Sequence, residues 1–181
     1  MSNMLSAHGL LPLAFCLSLG ACASEVTKSA PDKVDVRASA PGAATCLPTT
    51  PAQNATGAQA TNAVRTRAGL ATLRADSRIA EAAARHACDM AERGRMTHQG
   101  SQTTGPAQRV KALGFAPRMT AENIAAGPFD LDRVLSEWNR SEGHLSNILI
   151  PQMSSFGIGQ AIGSDGKTRY WAAVYAAPRG R

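Results

Sequence analysis

Three side chains in this sequence have types and settings suited to chemistry. His98 lies in the segment MTHQG at 96–100, just after a helix stop. His144 lies in SEGHLSN at 141–147, just after another. Glu122 lies in AENIAAG at 121–127. Loop histidines held by a rigid scaffold are good candidates for function. Two neutral imidazoles and a carboxylate suit zinc or another divalent ion, provided the fold brings them together. The same set allows a metal-dependent hydrolase, with His98 and His144 as ligands and Glu122 as general base or orienting group. His86 sits inside a helical pattern with no visible partner and reads as structural or surface. No H-E-x-x-H, G-x-S-x-G or phosphate-binding loop is present. Cys88 is a poor nucleophile candidate, lying in a helix interior with a prospective disulfide partner.

These residues must be positioned by the elements between them. The spacing predicts a helix over 57–68, ended by Gly69. A stronger one covers 77–93, capped by Asp76 or Ser77, with Ile79, Ala83, Ala87, Met90 and Ala91 forming an apolar stripe. Helices over 105–113 and 130–140 follow, with Pro106 in a first turn and Leu131, Val134, Leu135 and Trp138 on one face. His144 then falls in a short turn or helix before Pro151. The C-terminus changes period. Phe156, Ile158 and Ala161 precede the turn pair Asp165-Gly166, and Tyr170 to Ala176 forms the returning strand. Helices first and a hairpin last predict an α+β domain whose helices pack on an antiparallel sheet.

The N-terminus speaks to location. Residues 9–21, GLLPLAFCLSLGA, match the apolar core of a signal peptide and are too short to span a bilayer comfortably. Leu19-Gly20-Ala21-Cys22 resembles a bacterial lipobox, in which Cys22 is lipidated and becomes the first residue. The alternative is an ordinary signal peptide cut near Ala23. Residues 1–8 contain no Lys or Arg, so the usual basic start is weak. With Cys16 removed and Cys22 lipidated, Cys46 and Cys88 remain in an oxidising compartment, which suggests one disulfide. Two buried free thiols are the alternative.

Residues 23–56 carry no aromatic residue, and Val26, Val34, Val36 and Leu47 are their only larger aliphatics. Such a stretch buries too little to offset its ordering entropy, and its prolines favour extended backbone. The expected organisation is a signal peptide over 1–21, a tether over 22–56 and one domain over 57–178. The 181 residues, 44% hydrophobic and 18% charged, suit a single globular domain rather than a coiled coil or multi-span membrane protein. The net charge of +6 suits anionic lipid or wall polymers, or simply a solvated surface. Nucleic acid is a poor partner for an exported chain.

Eight ordered blocks carry a family resemblance. They are Asn62-x-x-Arg65, AAARHACDMAERG at 82–94, MTHQG at 96–100, RVKALGF at 109–115, AENIAAG at 121–127, WNRSEGHLSNIL at 138–149, FGIGQA at 156–161 and YWAAVYA at 170–176. In order and spacing the chain resembles the CAP (SCP/TAPS) superfamily, especially its short bacterial secreted members. The resemblance implies a three-layer α-β-α sandwich with a small antiparallel sheet and a central cavity. In larger members that cavity holds two histidines and two glutamates and can bind a divalent metal. By resemblance, His98, Glu122 and His144 take three of those places. The second glutamate's place is Ser141, with Glu142 next to it but turned by about 100° on a helix. Asn123 and Asn147 match polar positions that frame the cavity or bond local backbone.

The expectation is a non-enzymatic module anchored to the cell membrane through lipid, at the outer membrane in a diderm bacterium, and binding a lipid, sterol-like or cell-wall ligand. The rivals are the metal-dependent hydrolase and a structural envelope protein with a vestigial cavity.

Overall fold

The computed structural model describes residues 35–180. The expected signal segment and Cys22 lie outside them. Along the chain come β1 (Asp35–Arg37), β2 (Thr45–Leu47), α1 (Pro51–Arg67), β3 (Arg74–Ala75), α2 (Ser77–Arg93) and β4 (Arg95–Thr97). There follow α3 (Pro106–Ala112), β5 (Pro117–Gly127), α4 (Leu131–Arg140), α5 (Glu142–Ile148), β6 (Ser155–Ile162) and β7 (Arg169–Pro178). Helix α2 has the start and stop its sequence promised. The Asp76 carboxylate accepts from the backbone N–H of Arg78 and Ile79, and Gly94 closes the helix at φ 64°.

The main sheet runs β2-β6-β7-β5, with antiparallel neighbours, and β3 adds a short parallel pairing to β6. Strand β7 is central, and its side chains alternate between two cores. Tyr170, Ala172, Val174 and Ala176 join α2 and Val110 of α3 on one face. Trp171, Ala173, Tyr175 and Ala177 join residues of α1, α4 and α5 on the other. A strand buried on both faces loses polar alternation, so YWAAVYA reads as one apolar run. This is the expected α-β-α sandwich.

Small residues let α2 lie close to the sheet. A Cβ at Gly157 would stand 2.1 Å from the backbone N of Ala80, and one at Gly159 would stand 2.2 Å from that of Ala84. Helix backbone therefore rests almost directly on β6. The glycines of FGIGQA are there for that approach.

Residues 35–56, expected to be tether, are part of the fold. Strand β1 pairs with β4, and β2 pairs with β6. Helix α1 starts at Pro51 rather than 57, because the Thr50 side chain caps it and proline at the first position is preorganised for a helix. The Cys46–Cys88 disulfide ties β2 to α2 with a Cα–Cα distance of 5.1 Å. Arg65 is fully buried. It donates to the carbonyls of Ala71, Ile148, Ile150 and Met153, clamping α1 to the chain that leaves α5. Asn62 exchanges hydrogen bonds with the backbone of Leu73. The Asn62-x-x-Arg65 block is thus a pair of backbone anchors. Among the described residues no helix is long and apolar enough to cross a membrane.

Candidate functional site

The site assembles at β5, the outer strand of the main sheet. An outer strand leaves backbone groups unpaired on its open side. Here two of its carbonyls are met by side chains. Asn147 Nδ2 donates to the Glu122 carbonyl at 3.2 Å, and Trp138 Nε1 donates to that of Ile124 at 3.3 Å. Successive strand residues point to opposite faces. Glu122 therefore turns toward α2 and α3, while Asn123 turns toward α5. Asn123 is fully buried. Its Nδ2 donates to the His144 carbonyl at 3.1 Å and the Tyr175 hydroxyl at 3.2 Å, and its Oδ1 accepts from Asn147 at 2.9 Å.

The Glu122 side chain is only 1% exposed, and both its oxygens are engaged. Oε1 accepts from Arg109 at 2.6 Å, and Oε2 accepts from His98 Nδ1 at 2.9 Å. His86 Nε2 is 3.7 Å from Oε2. Burial alone would push the carboxyl up. The hydrogen bond from His98 and the neighbouring His86 and Arg109 outweigh it, so Glu122 is held below its usual range. Arg109 also donates to the His98 carbonyl and the Thr103 hydroxyl, tying the following loop to the same ion pair.

His98 is the exposed member, with 43% of its side chain accessible. With Nδ1 donating to Glu122, its Nε2 is the atom left to face a ligand. His144 approaches from α5. Burial lowers its pKa, and proximity to His98 lowers it further. Its Nδ1 is buried without a hydrogen-bond partner. His98, from the loop after β4, and His144, from α5, thus approach the β5 edge from its two faces, with Asn123 and Asn147 beside them.

Residues 58–175 match the CAP family, the cysteine-rich secretory protein family. The chain belongs to the CAP family. The uncharacterized protein YkwD of Bacillus subtilis (strain 168) is 33% identical over 99 residues, which are 55% of this chain and 38% of that protein. An extracellular SCP-domain protein of Bacillus anthracis superposes with a TM-score of 0.62 at 24% identity, over 72% of this chain and 45% of that one. An outer surface protein of Borrelia burgdorferi gives 0.63 at 20% identity, over 72% and 96%. The CAP chain therefore spans less than half the length of the two Bacillus proteins.

The donor set fits a divalent ion only in part. His98 Nε2 and His144 are the imidazole ligands on offer, and the carboxylate behind His98 is the usual device for orienting a metal-bound histidine. The second carboxylate place holds Ser141, at the start of α5. Glu122 itself is taken by Arg109. The ligating atoms of His98, Glu122 and His144 do not gather within 4.8 Å of one another. Among the described residues, Cys46, Cys88 and Glu92 are the group that does, and those cysteines are disulfide-bonded. A closed four-ligand site is not built here.

Sequence reasoning missed two members of this CAP site. His86 was read as structural or surface, yet it is 1% exposed beside Glu122. The stripe carried the signal, since 79, 83, 86 and 90 fall on one helical face. Burial pushes the His86 ring down to about 4, so it is neutral. Arg109 stands in the RVKALGF block, but thirteen residues of separation from Glu122 gave no hint of their pairing.

Proposed function

We propose that this chain is a membrane-tethered binding module of the bacterial cell envelope, with the His98–His144 edge of the sheet as its contact surface. The carrying observation is the state of Glu122. A general base must present an oxygen to the proton it takes. Both Glu122 oxygens are engaged, and its side chain is 1% exposed. It orients His98 and does not reach a substrate. The hydrolase reading keeps Glu122 only as the group that orients His98, and a binding role is the reading this geometry supports best.

The ligand is a lipid, sterol-like or cell-wall component of the envelope. A divalent ion such as zinc would be held through His98 Nε2 and His144, with Glu122 fixing the His98 ring. The lipobox at Cys22 supports anchoring. The likeness to extracellular and outer-surface proteins of bacteria supports the compartment.

The mature chain is incubated with vesicles of envelope phospholipids and with peptidoglycan, with and without zinc. Saturable binding, weakened in the His98→Ala, His144→Ala double variant at unchanged melting temperature, supports the reading. No saturable binding to either material ends it. Turnover in a hydrolase panel that requires both histidines would replace it with the metal-dependent enzyme.

A further inference from the structure

Behind the Glu122 ion pair lies a cavity that neither His98 nor His144 lines. It has a volume of about 300 Å3 and opens between α2, α3 and the Gly100–Thr103 loop. That is the lower end of the range for small-molecule sites. Its lining mixes the apolar Ala82, Ala112 and Leu113 with a polar rim that includes Ser101 and Gln102. His86 and Arg109 both stand in its wall, and they are only 1% and 7% exposed.

Each of these two buried side chains has a nitrogen without a hydrogen-bond partner, Nδ1 of His86 and Nε of Arg109. Buried polar groups are almost always paired, and leaving one unpaired is destabilising. The two vacancies are of opposite kind. His86 Nε2 lies 2.9 Å from the Thr97 carbonyl, which has no proton to give, so Nε2 carries the hydrogen. In the neutral ring Nδ1 is therefore an acceptor. Arg109 Nε is a donor.

Groups that both donate and accept match these two vacancies, and hydroxyls are such groups. The charges nearby argue against an anion. The Arg109 guanidinium already faces Glu122 at 2.6 Å, Arg85 faces Glu81, and Asp89 faces Arg93 at 2.6 Å. No cation of the cavity wall is left without a carboxylate.

We propose that the cavity between α2, α3 and the Gly100–Thr103 loop is a binding site for a neutral hydroxylated ligand the size of a single sugar ring. Its hydroxyls donate to His86 Nδ1 and accept from Arg109 Nε. The ring's C–H face lies on Ala82, Ala112 and Leu113, and its other hydroxyls meet the Ser101–Gln102 rim. Both nitrogens are buried within the wall, so a ligand reaches them only by displacing loop contacts such as Arg109–Thr103 and Ser101–Asp89. The site shares His86 and Arg109 with the Glu122 cluster, while neither His98 nor His144 lines its cavity.

The test is an NMR titration of the purified, 15N-labelled mature chain, following the His86 ring nitrogens and the amides of 100–103 and 109–113. The probes are glucose and N-acetylglucosamine as neutral polyols, and inorganic phosphate as the anion. With few hydrogen bonds the expected dissociation constant is on the order of 1–10 mM. Saturable movement of His86 Nδ1 with either sugar supports the proposal. Ala112→Trp, at an exposed lining position, should weaken that response at least about tenfold at an unchanged melting temperature. His86→Phe removes the acceptor and should abolish the response. A sugar response that survives both variants overturns the proposal. So does no saturable response to either sugar at about 100 mM, well above a millimolar constant, which would leave only water in the cavity. Saturation by phosphate at the same nitrogens without any sugar response overturns it as well. Zinc and vesicle binding through His98 and His144 should not change in Ala112→Trp, so this proposal and that role fail separately.

Discussion

Replacing Arg109 with methionine tests the electrostatic centre of the site. The change keeps an aliphatic stem of similar length and removes the guanidinium. Glu122 is then an ionised carboxylate at 1% exposure, still bonded to His98 but without its cation. Breaking a buried pair on one side costs about 3–5 kcal/mol, and the surviving His98 bond argues for the lower end. At about 2–4 °C per kcal/mol for a chain of this size, the melting temperature should fall by about 6–12 °C. Adding Glu122→Gln removes the stranded charge and should recover at least about half of the loss. The pH dependence has a definite sign. In the native protein the Glu122 pKa lies below its ordinary 4.5, so its contribution is present above that value and is lost as pH falls through the folded pKa. Without Arg109, burial dominates and the folded pKa rises, so the penalty is full at neutral pH and vanishes below about 4.5. The gap between the two proteins in urea midpoint should therefore be widest at pH 7, narrow toward pH 4.5, and close further as pH falls through the native Glu122 pKa. A loss under about 1 kcal/mol at pH 7, or no recovery in the double variant, would refute the reasoning.

His86 predicts a second acid transition. Its ring titrates at about 4 when folded against 6.5 unfolded, so stability falls by up to about 3 kcal/mol as pH drops through that window. Urea midpoints of His86→Gln should be flatter over the same range. Reducing the Cys46–Cys88 bridge, which spans 42 residues, removes about 4 kcal/mol in the chain-entropy view. A thermal melt in reductant should shift down yet stay cooperative, and two free thiols in exported, denatured protein would refute the bridge. Gly159→Val drives side-chain atoms into Ala84 and should cost about 3 kcal/mol by chemical denaturation. Gly143→Ala, with nothing within 4 Å of its added methyl, should instead stabilise α5 by about 0.5–1 kcal/mol. Asn123→Ala leaves Asn147 and the buried Tyr175 hydroxyl short of a partner and should cost about 1–3 kcal/mol. NMR should show the His144 ring moving while His98, still bonded to Glu122, does not.

What the sequence revealed followed from periodicity and punctuation. Helix α2 carries a cap, a stripe and a terminal glycine, and the hairpin carries an Asp-Gly turn between apolar runs. All of these are local signals, and all appear in the fold. Strand β5 was not legible as a strand. Its outer edge faces helices rather than another strand, so its residues Glu122, Asn123 and the small Ala125 and Ala126 answer to side-chain partners instead of a pleated alternation. The start of α1 was masked by Pro51, which suits an extended tether as well as a first helical turn. Val36 and Leu47 looked like stray aliphatics in a linker. Their segments are ordered by pairing with β4 and β6, partners about 60 and 110 residues away that composition cannot reveal.

The candidate site was legible as three residues and illegible as a geometry. The reason lies in the pair Glu122-Asn123. Adjacent strand residues face opposite layers, so this one dipeptide reaches a histidine in each. Glu122 takes the His98 ring through Nδ1, on the α2 side. Asn123 takes the His144 backbone carbonyl, on the α5 side. The two ties differ in kind. His98 is oriented by its ring, so its free nitrogen is fixed. His144 is located by its backbone, and its ring nitrogen Nδ1 has no partner. A ligand or ion at the sheet edge thus meets one preorganised imidazole and one that gains a hydrogen bond or a coordinate bond on binding. Arg109 adds a fixed positive charge on the far side of Glu122. That charge keeps the carboxylate an anion and turned inward. A chain with a free carboxylate in the Ser141 position would place negative charge on the open side instead.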